Sequence, residues 1–193
     1  MSSVSANQFE ARLEQGKTGE SLIARWLQRR GYNVLPAYEK EENEHKGPRI
    51  FSATRDLVAP DLLAFGAPKG VVRVFWAEAK SKAAFTWHRI TGTYQDGIDR
   101  RHWLDYLELR RRMLWDLWLL FLHAPGGLAK DNPPNMVPPS GLFGGEVLQL
   151  AKCIDHESDK YGDGGMVYWR CEDLMAAGKP LATYAEVCAN AKV

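Results

Sequence analysis

Glu20, Asp61, Glu78 and Lys80 are the side chains of this sequence whose types and spacing could do chemistry. In VVRVFWAEAK (71–80) the two-residue period of a strand puts Val72, Val74, Trp76, Glu78 and Lys80 on one face. Three apolar side chains there give way to an acid and a base that point the same way. Asp61 follows Pro60 and opens the apolar run DLLAF, and the GAPKG between the two runs has turn chemistry. If the runs pair antiparallel across that turn, Asp61 and Glu78 come within reach of each other. Two carboxylates so placed repel unless a cation lies between them. Oxygen donors select hard ions, Mg2+ or Mn2+, held by one or two carboxylates with waters and substrate phosphate. Lys80 could then polarise a phosphate oxygen or help deprotonate an attacking water.

Glu20 belongs to a different element. Phe9, Leu13, Gly16, Glu20, Ile23 and Leu27 follow one another by 4, 3, 4, 3 and 4 residues, one stripe of an amphipathic helix. A carboxylate on that face is costly unless it is paired or holds a metal. Each feature alone has a plainer reading: Glu20 at the stripe's edge reaching water or an arginine, and Lys80 in a sheet-edge salt bridge with either acid. Taken together they favour an ion site.

The elements that must position these groups alternate between helical and extended patterns, which predicts a mixed α/β domain. A long helix is expected over 6–30, a strand over 32–38, a solvated loop or long strand-connecting excursion over 39–49, strands over 61–65 and 71–80, and a helix over about 97–113. WDLWLLFLH (115–123) is a continuous apolar run, suited to a strand covered on both faces. Residues 125–145, rich in Pro and Gly, are expected to be a loop, and the remainder a peripheral addition. With 193 residues, 45% hydrophobic, the chain is expected to be one domain with a substantial core. A formal net charge of +1 excludes attachment to nucleic acid or anionic membrane by bulk charge, though not by a local patch. No apolar run approaches the roughly 20 residues needed to cross a bilayer, and the start shows no secretory pattern. Cys153, Cys171 and Cys188, odd in number and without a CxxC pair, read as reduced thiols of a cytoplasmic protein.

Pro60-Asp61, then sixteen residues, then Glu78-Ala79-Lys80 resembles the PD-(D/E)xK signature of the restriction-endonuclease-like nucleases. Gly19-Glu20 on a preceding helix is similar to the extra acid of many members, Holliday-junction resolvases of archaea included. The resemblance implies an αβββαβ core, a mixed central sheet flanked by helices, over residues 10–123, with 124–193 added to it. It implies that Asp61 and Glu78 ligate Mg2+ or Mn2+, with the carbonyl of Ala79 as a third ligand. Glu20 would bind directly or through water, and Lys80 would orient the nucleophilic water. Some members add a Gln on the following helix with a Tyr four residues later; here Gln95 is followed by Asp99, a departure from that subgroup.

Downstream of Lys80, Lys82, His88, Arg89, Arg100 and Arg101 are interleaved with Trp87, Tyr94, Trp103 and Tyr106. Arg and Lys supply affinity for phosphate and aromatic rings can stack on unpaired bases. The aromatic residues of the helix itself are expected to pack on the sheet, whereas the loop 81–93 should border the cleft, with His88 and Arg89 facing a scissile phosphate. Other motifs fail: QGKTGE has Ala11 where a P-loop needs glycine, and DHESDKYGDGG has Lys160 and Met166 where a calcium loop needs Gly and Glu. The isolated His45 and His123 read as surface or packed histidines. The sequence therefore points to a Mg2+-dependent endodeoxyribonuclease. RNA would require the same ligands, and a homodimer is the assembly implied for relatives that cut both strands. The rival is a non-catalytic binding or assembly module on the same fold.

Overall fold

A computed structural model describes residues 6–37, 49–127, 131–162 and 164–189, with side chains in the first helix from Thr18 onward. Phe9, Leu13 and Gly16 of the expected stripe, and residues 39–48 of the expected loop, therefore lie outside the described side chains and residues. Helix α1 (Ala6–Arg29) leads into β1 (Tyr32–Pro36), β2 (Arg49–Ile50), β3 (Leu57–Val58), β4 (Leu62–Gly66), β5 (Arg73–Lys82), β6 (Thr86–His88) and β7 (Thr93–Asp99). Then come α2 (Arg100–Met113), β8 (Asp116–His123), β9 (Gly141–Glu146), α3 (Val147–Leu150), β10 (His156–Ser158), β11 (Met166–Arg170) and α4 (Tyr184–Cys188).

The central sheet has the order β1-β4-β5-β8-β9. β4 pairs antiparallel with β1 and β5, β8 lies parallel to β5, and β9 is antiparallel to β8. This is a mixed α/β architecture with a mixed sheet and few helices. A second, antiparallel sheet has the order β10-β11-β7-β6.

β8 shows why its run is apolar throughout. Leu117, Leu119 and Phe121 enter one core with Trp103, Tyr106 and Leu109 of α2, while Leu120 and Leu122 enter the other with Ile23 and Leu27 of α1. Alternation in a strand covered on both faces demands this. The same alternation in β5 sends Trp76 to the α2 side and Phe75, Ala77 and Ala79 to the α1 side. Glu78 and Lys80 share the parity of Trp76 and so belong to the α2 side.

Three expectations need correcting. The helix expected from about residue 97 starts at Arg100, because Gln95 to Asp99 pair with Arg170 to Met166 of β11 and are held extended. The expected loop 125–145 runs into β9, whose glycines hide the strand pattern. A Cβ on Gly144 would stand 1.9 Å from the Leu119 carbonyl oxygen, and its φ of +149° is one that L side chains rarely adopt. Finally, the segment 124–193 supplies β9 to the central sheet and β10 and β11 to the second, so it is integral rather than peripheral. It also anchors α1. Thr183 and Glu186 form a capping box that starts α4, and Arg29 Nη2 donates to the Glu186 and Val187 carbonyls at 2.8 and 2.7 Å.

Candidate active site

The last β4–β5 pair is Leu62 with Ala77, so the next residues outward, Asp61 and Glu78, stand opposite each other. A six-residue connection (67–72) and a continuous ladder leave little freedom in that register. Asp61 is 7% exposed, and its Oδ2 accepts the backbone N–H of Ala79 at 2.9 Å. Beyond Leu62 no residue of β4 pairs with β5. A strand residue points its N–H and C=O to the same edge, so the carbonyl of Ala79 shares the edge occupied by Asp61.

Glu78 is 2% exposed. One oxygen, Oε1, is paired with Lys80 Nζ, and the other, Oε2, is buried with no hydrogen-bond partner. An orphaned buried carboxylate oxygen is costly in a folded protein, and it is the kind of atom a cation satisfies. Burial alone would lower the Lys80 ammonium's pKa. The charges of Glu78 and Asp61, the hydrogen bond to Glu78 and the charge of Glu20 outweigh that and hold it above its ordinary value. These acids hold Lys80 in its cationic, hydrogen-bond-donating form.

Glu20 reaches this end of β5 because α1 lies directly on the strand. A Cβ on Gly19 would stand 2.2 Å from Ser81 Cβ, so the helix can sit this close only with glycine there. Gly19 meets the α1 face of β5, opposite to the face of Glu78 and Lys80, and Glu20 acts from beside the strand end. Among the described residues, one group of three His, Cys, Asp or Glu ligand atoms lies mutually within 4.8 Å, and it is not this one. Glu78 is ion-paired with Lys80, the charges of Asp61 and Glu20 add to its field, and the three acids do not lie mutually within 4.8 Å. On the α2 side His102 is half-buried; desolvation and the nearby Lys80 charge push its imidazole below its ordinary value, favouring the neutral ring.

The candidate phosphate ligands are mostly engaged elsewhere. Lys82 pairs with Asp96 and donates to the Gly97 carbonyl at 2.6 Å. Arg89 pairs with Asp131. Arg100 bridges Glu157 and Asp159 at 2.8 and 2.7 Å, and Arg101 is exposed. Gln95 is not on a helix: it is buried in β7 and donates to Asp155 Oδ2 at 2.6 Å. His88, on β6, has Nδ1 2.8 Å from Thr91 Oγ1 and its ring against His156. Trp103 and Tyr106 pack in the core, as expected for that helix.

Residue types alone missed a second polar network between the sheets. Asp96 and His123 are 3% and 0% exposed, and His123 Nε2 lies 2.8 Å from Asp96 Oδ2. Burial would raise the Asp96 carboxyl, but Lys82 and His123 more than offset it and hold it below the usual carboxylate range. The available signal was His123 ending the apolar run of β8; Asp96, in the polar TYQDGID of β7, gave none.

No protein-family model and no curated protein matches the chain. Among solved structures it is similar to that of Hjc from Archaeoglobus fulgidus, described as a Holliday junction resolvase from an archaeal hyperthermophile. The TM-score is 0.44 with 9% identity over 79% of this chain and 86% of that one.

Proposed function

We propose that the chain is a divalent-metal-dependent nuclease of the PD-(D/E)xK type, hydrolysing DNA phosphodiester bonds at the open end of β5. In this reading α1, β1, β4, β5, α2 and β8 are the αβββαβ core. The observation that carries it is the facing of Asp61 and Glu78 across the last β4–β5 pair, with Lys80 beside them and one Glu78 oxygen buried without a partner. That donor set, carboxylates and a backbone carbonyl, fits a hard ion.

Asp61, Glu78 and the Ala79 carbonyl would hold Mg2+ or Mn2+, with Glu20 contributing directly or through water. The chemistry supplied by such an ion is Lewis-acid: water becomes acidic enough to attack at neutral pH, and charge gathering on the phosphate is offset. Lys80, kept protonated by the surrounding acids, donates a hydrogen bond that orients the attacking water or a non-bridging phosphate oxygen. Asp61 has a second task, since accepting the Ala79 N–H fixes the backbone that presents the carbonyl. Among the phosphate-binding candidates, Arg101 is exposed and Arg89 and Arg100 have exposed partners that phosphate can replace. Lys82, His88 and Gln95 are bonded to Asp96, Thr91 and Asp155 and are not assigned to phosphate in this reading.

The test is cleavage of duplex, single-stranded and branched DNA, and of RNA, in Mg2+ or Mn2+. Wild type should cut, Asp61→Asn and Glu78→Gln should not, and EDTA should abolish activity. Inert wild type across all substrates would refute the enzyme. The assembly-module rival has one observation in its favour. A cavity of about 770 Å3 at the other end of β5, lined by Trp26, Tyr32, Trp115 and Trp118, is flanked by exposed Val72 and Leu114. A binding module would keep its ligand in EDTA and show no thermal shift with divalent ions.

A further inference from the structure

The group of three ligand atoms within 4.8 Å consists of His88, Asp155 and His156, all half-buried. It lies on the second sheet. β6 and β10 are the two outer strands of the order β10-β11-β7-β6, yet the rings of His88 and His156 are 4.7 Å apart and near-parallel, at 18°. Side chains from opposite edges of one sheet thus meet, with Asp155 beside them. We propose that His88, Asp155 and His156 bind a borderline divalent transition ion, Zn2+ by preference, which clasps the two edges of the second sheet.

Two imidazoles and a carboxylate select Zn2+, Co2+ or Ni2+ over Mg2+, whereas the all-oxygen set at β5 does the reverse. Three protein ligands with a fourth position left to water is a common zinc arrangement. The surroundings are built as metal ligands require. His88 Nδ1 is held by Thr91 Oγ1, itself 2.8 Å from Thr93 Oγ1, which leaves Nε2 as the ligand nitrogen. Asp155 is oriented by Gln95 Nε2 at 2.6 Å and Arg170 Nε at 2.5 Å. Asp155 Oδ2 also lies 2.8 Å from His156 Nδ1, and zinc bonds of about 2.0–2.1 Å need that hydrogen bond opened and His88 drawn in. Parallel rings also direct their lone pairs side by side, so one ring must turn and the His88–His156 stack is lost on binding. A calcium-type reading of residues 155–166 misses this site because His88 is contributed by a distant hairpin.

The experiment uses the full chain with Asp61→Asn and Glu78→Gln, so that the oxygen site does not compete. Zn2+ alone, by calorimetry, should bind with one equivalent and raise the melting temperature, and Co2+ alone should give a visible absorption band. His88→Gln and His156→Gln should each remove the uptake and the metal-induced rise in melting temperature. Thr91→Val, at an exposed position, should weaken affinity by about 10–100-fold while folding normally. Cys153→Ser and Cys188→Ser should leave binding intact. Absence of uptake in the parent, or uptake that survives both histidine substitutions, overturns the site. Either result is independent of whether the wild-type protein cuts DNA.

Discussion

Lys80→Met tests the candidate active site through stability, without needing a substrate. Lys80 is in contact with Glu78, whose side chain is 3% exposed, so the substitution leaves a buried carboxylate without its partner. Removing one member of a buried pair costs about 3–5 kcal/mol. Lys80 itself is 33% exposed, and solvent screening reduces the figure to about 2–3 kcal/mol. For a domain of this size that is a fall of roughly 5–10 °C in melting temperature. Mg2+ should reverse most of it, because an ion at 100 times its Kd returns about 2.7 kcal/mol. The Mg2+-induced shift should also be larger than in wild type, where the ammonium repels the incoming ion. The assay is a thermal melt of both proteins in EDTA and across a Mg2+ series, at low salt. If Lys80→Met melts with wild type, or if its melting temperature does not respond to Mg2+, the acids do not share a cation site.

Three further outcomes follow from the same geometry. Asp61→Ala should cost about 1–3 kcal/mol more than Asp61→Asn in a denaturant titration, since it strands the buried Ala79 N–H that an Asn oxygen can still accept. Both should be inactive. Gly19→Val should push α1 off β5 at Ser81, lowering stability by at least the 1–3 kcal/mol typical of overpacking and reducing cleavage by withdrawing Glu20. Asp96, with its folded carboxyl held low, contributes stability that is complete above the ordinary value near 4 and is lost as pH falls through the lower folded value. Wild-type stability should therefore fall with acid below about pH 4. Asp96→Asn should be less stable at pH 7 and lack that part of the acid slope, as followed by urea unfolding at successive pH values.

What the sequence shows depends on how local the determining interaction is. The pairing of Asp61 with Glu78 is legible because a short turn joins their strands and leaves one register that buries DLLAF. β8 is legible because a strand covered on both faces must be apolar at every position. β7 is different: residues 97–99 are equally suited to open α2, and β11, far along the chain, decides the matter by pairing with them. The burial of Gln95 and the engagement of Lys82 have the same origin, since their partners Asp155 and Asp96 are fixed by the second sheet. Gly144 removes the strand signal of β9 because the close approach to Leu119 demands glycine. The stripe position of Glu20 is legible, whereas its place beside Lys80 rests on the close approach at Gly19.

A double variant separates function from structure at Glu78 and Lys80. Replacing a buried ion pair by apolar residues of similar volume is often neutral or stabilising by about 1–4 kcal/mol, because neither charge must then be desolvated. Glu78→Leu with Lys80→Met would join Trp76 in extending an apolar strand face, and it also removes the orphaned Oε2. Its melting temperature in EDTA should equal or exceed that of wild type, in contrast to the fall expected for Lys80→Met alone. Its response to Mg2+ and its cleavage should both vanish. A pair that costs stability and is dispensable for folding is retained for what it binds. If the double variant instead loses as much stability as the single one, Glu78 and Lys80 form a structural salt bridge, and the argument for an ion between β4 and β5 fails with it.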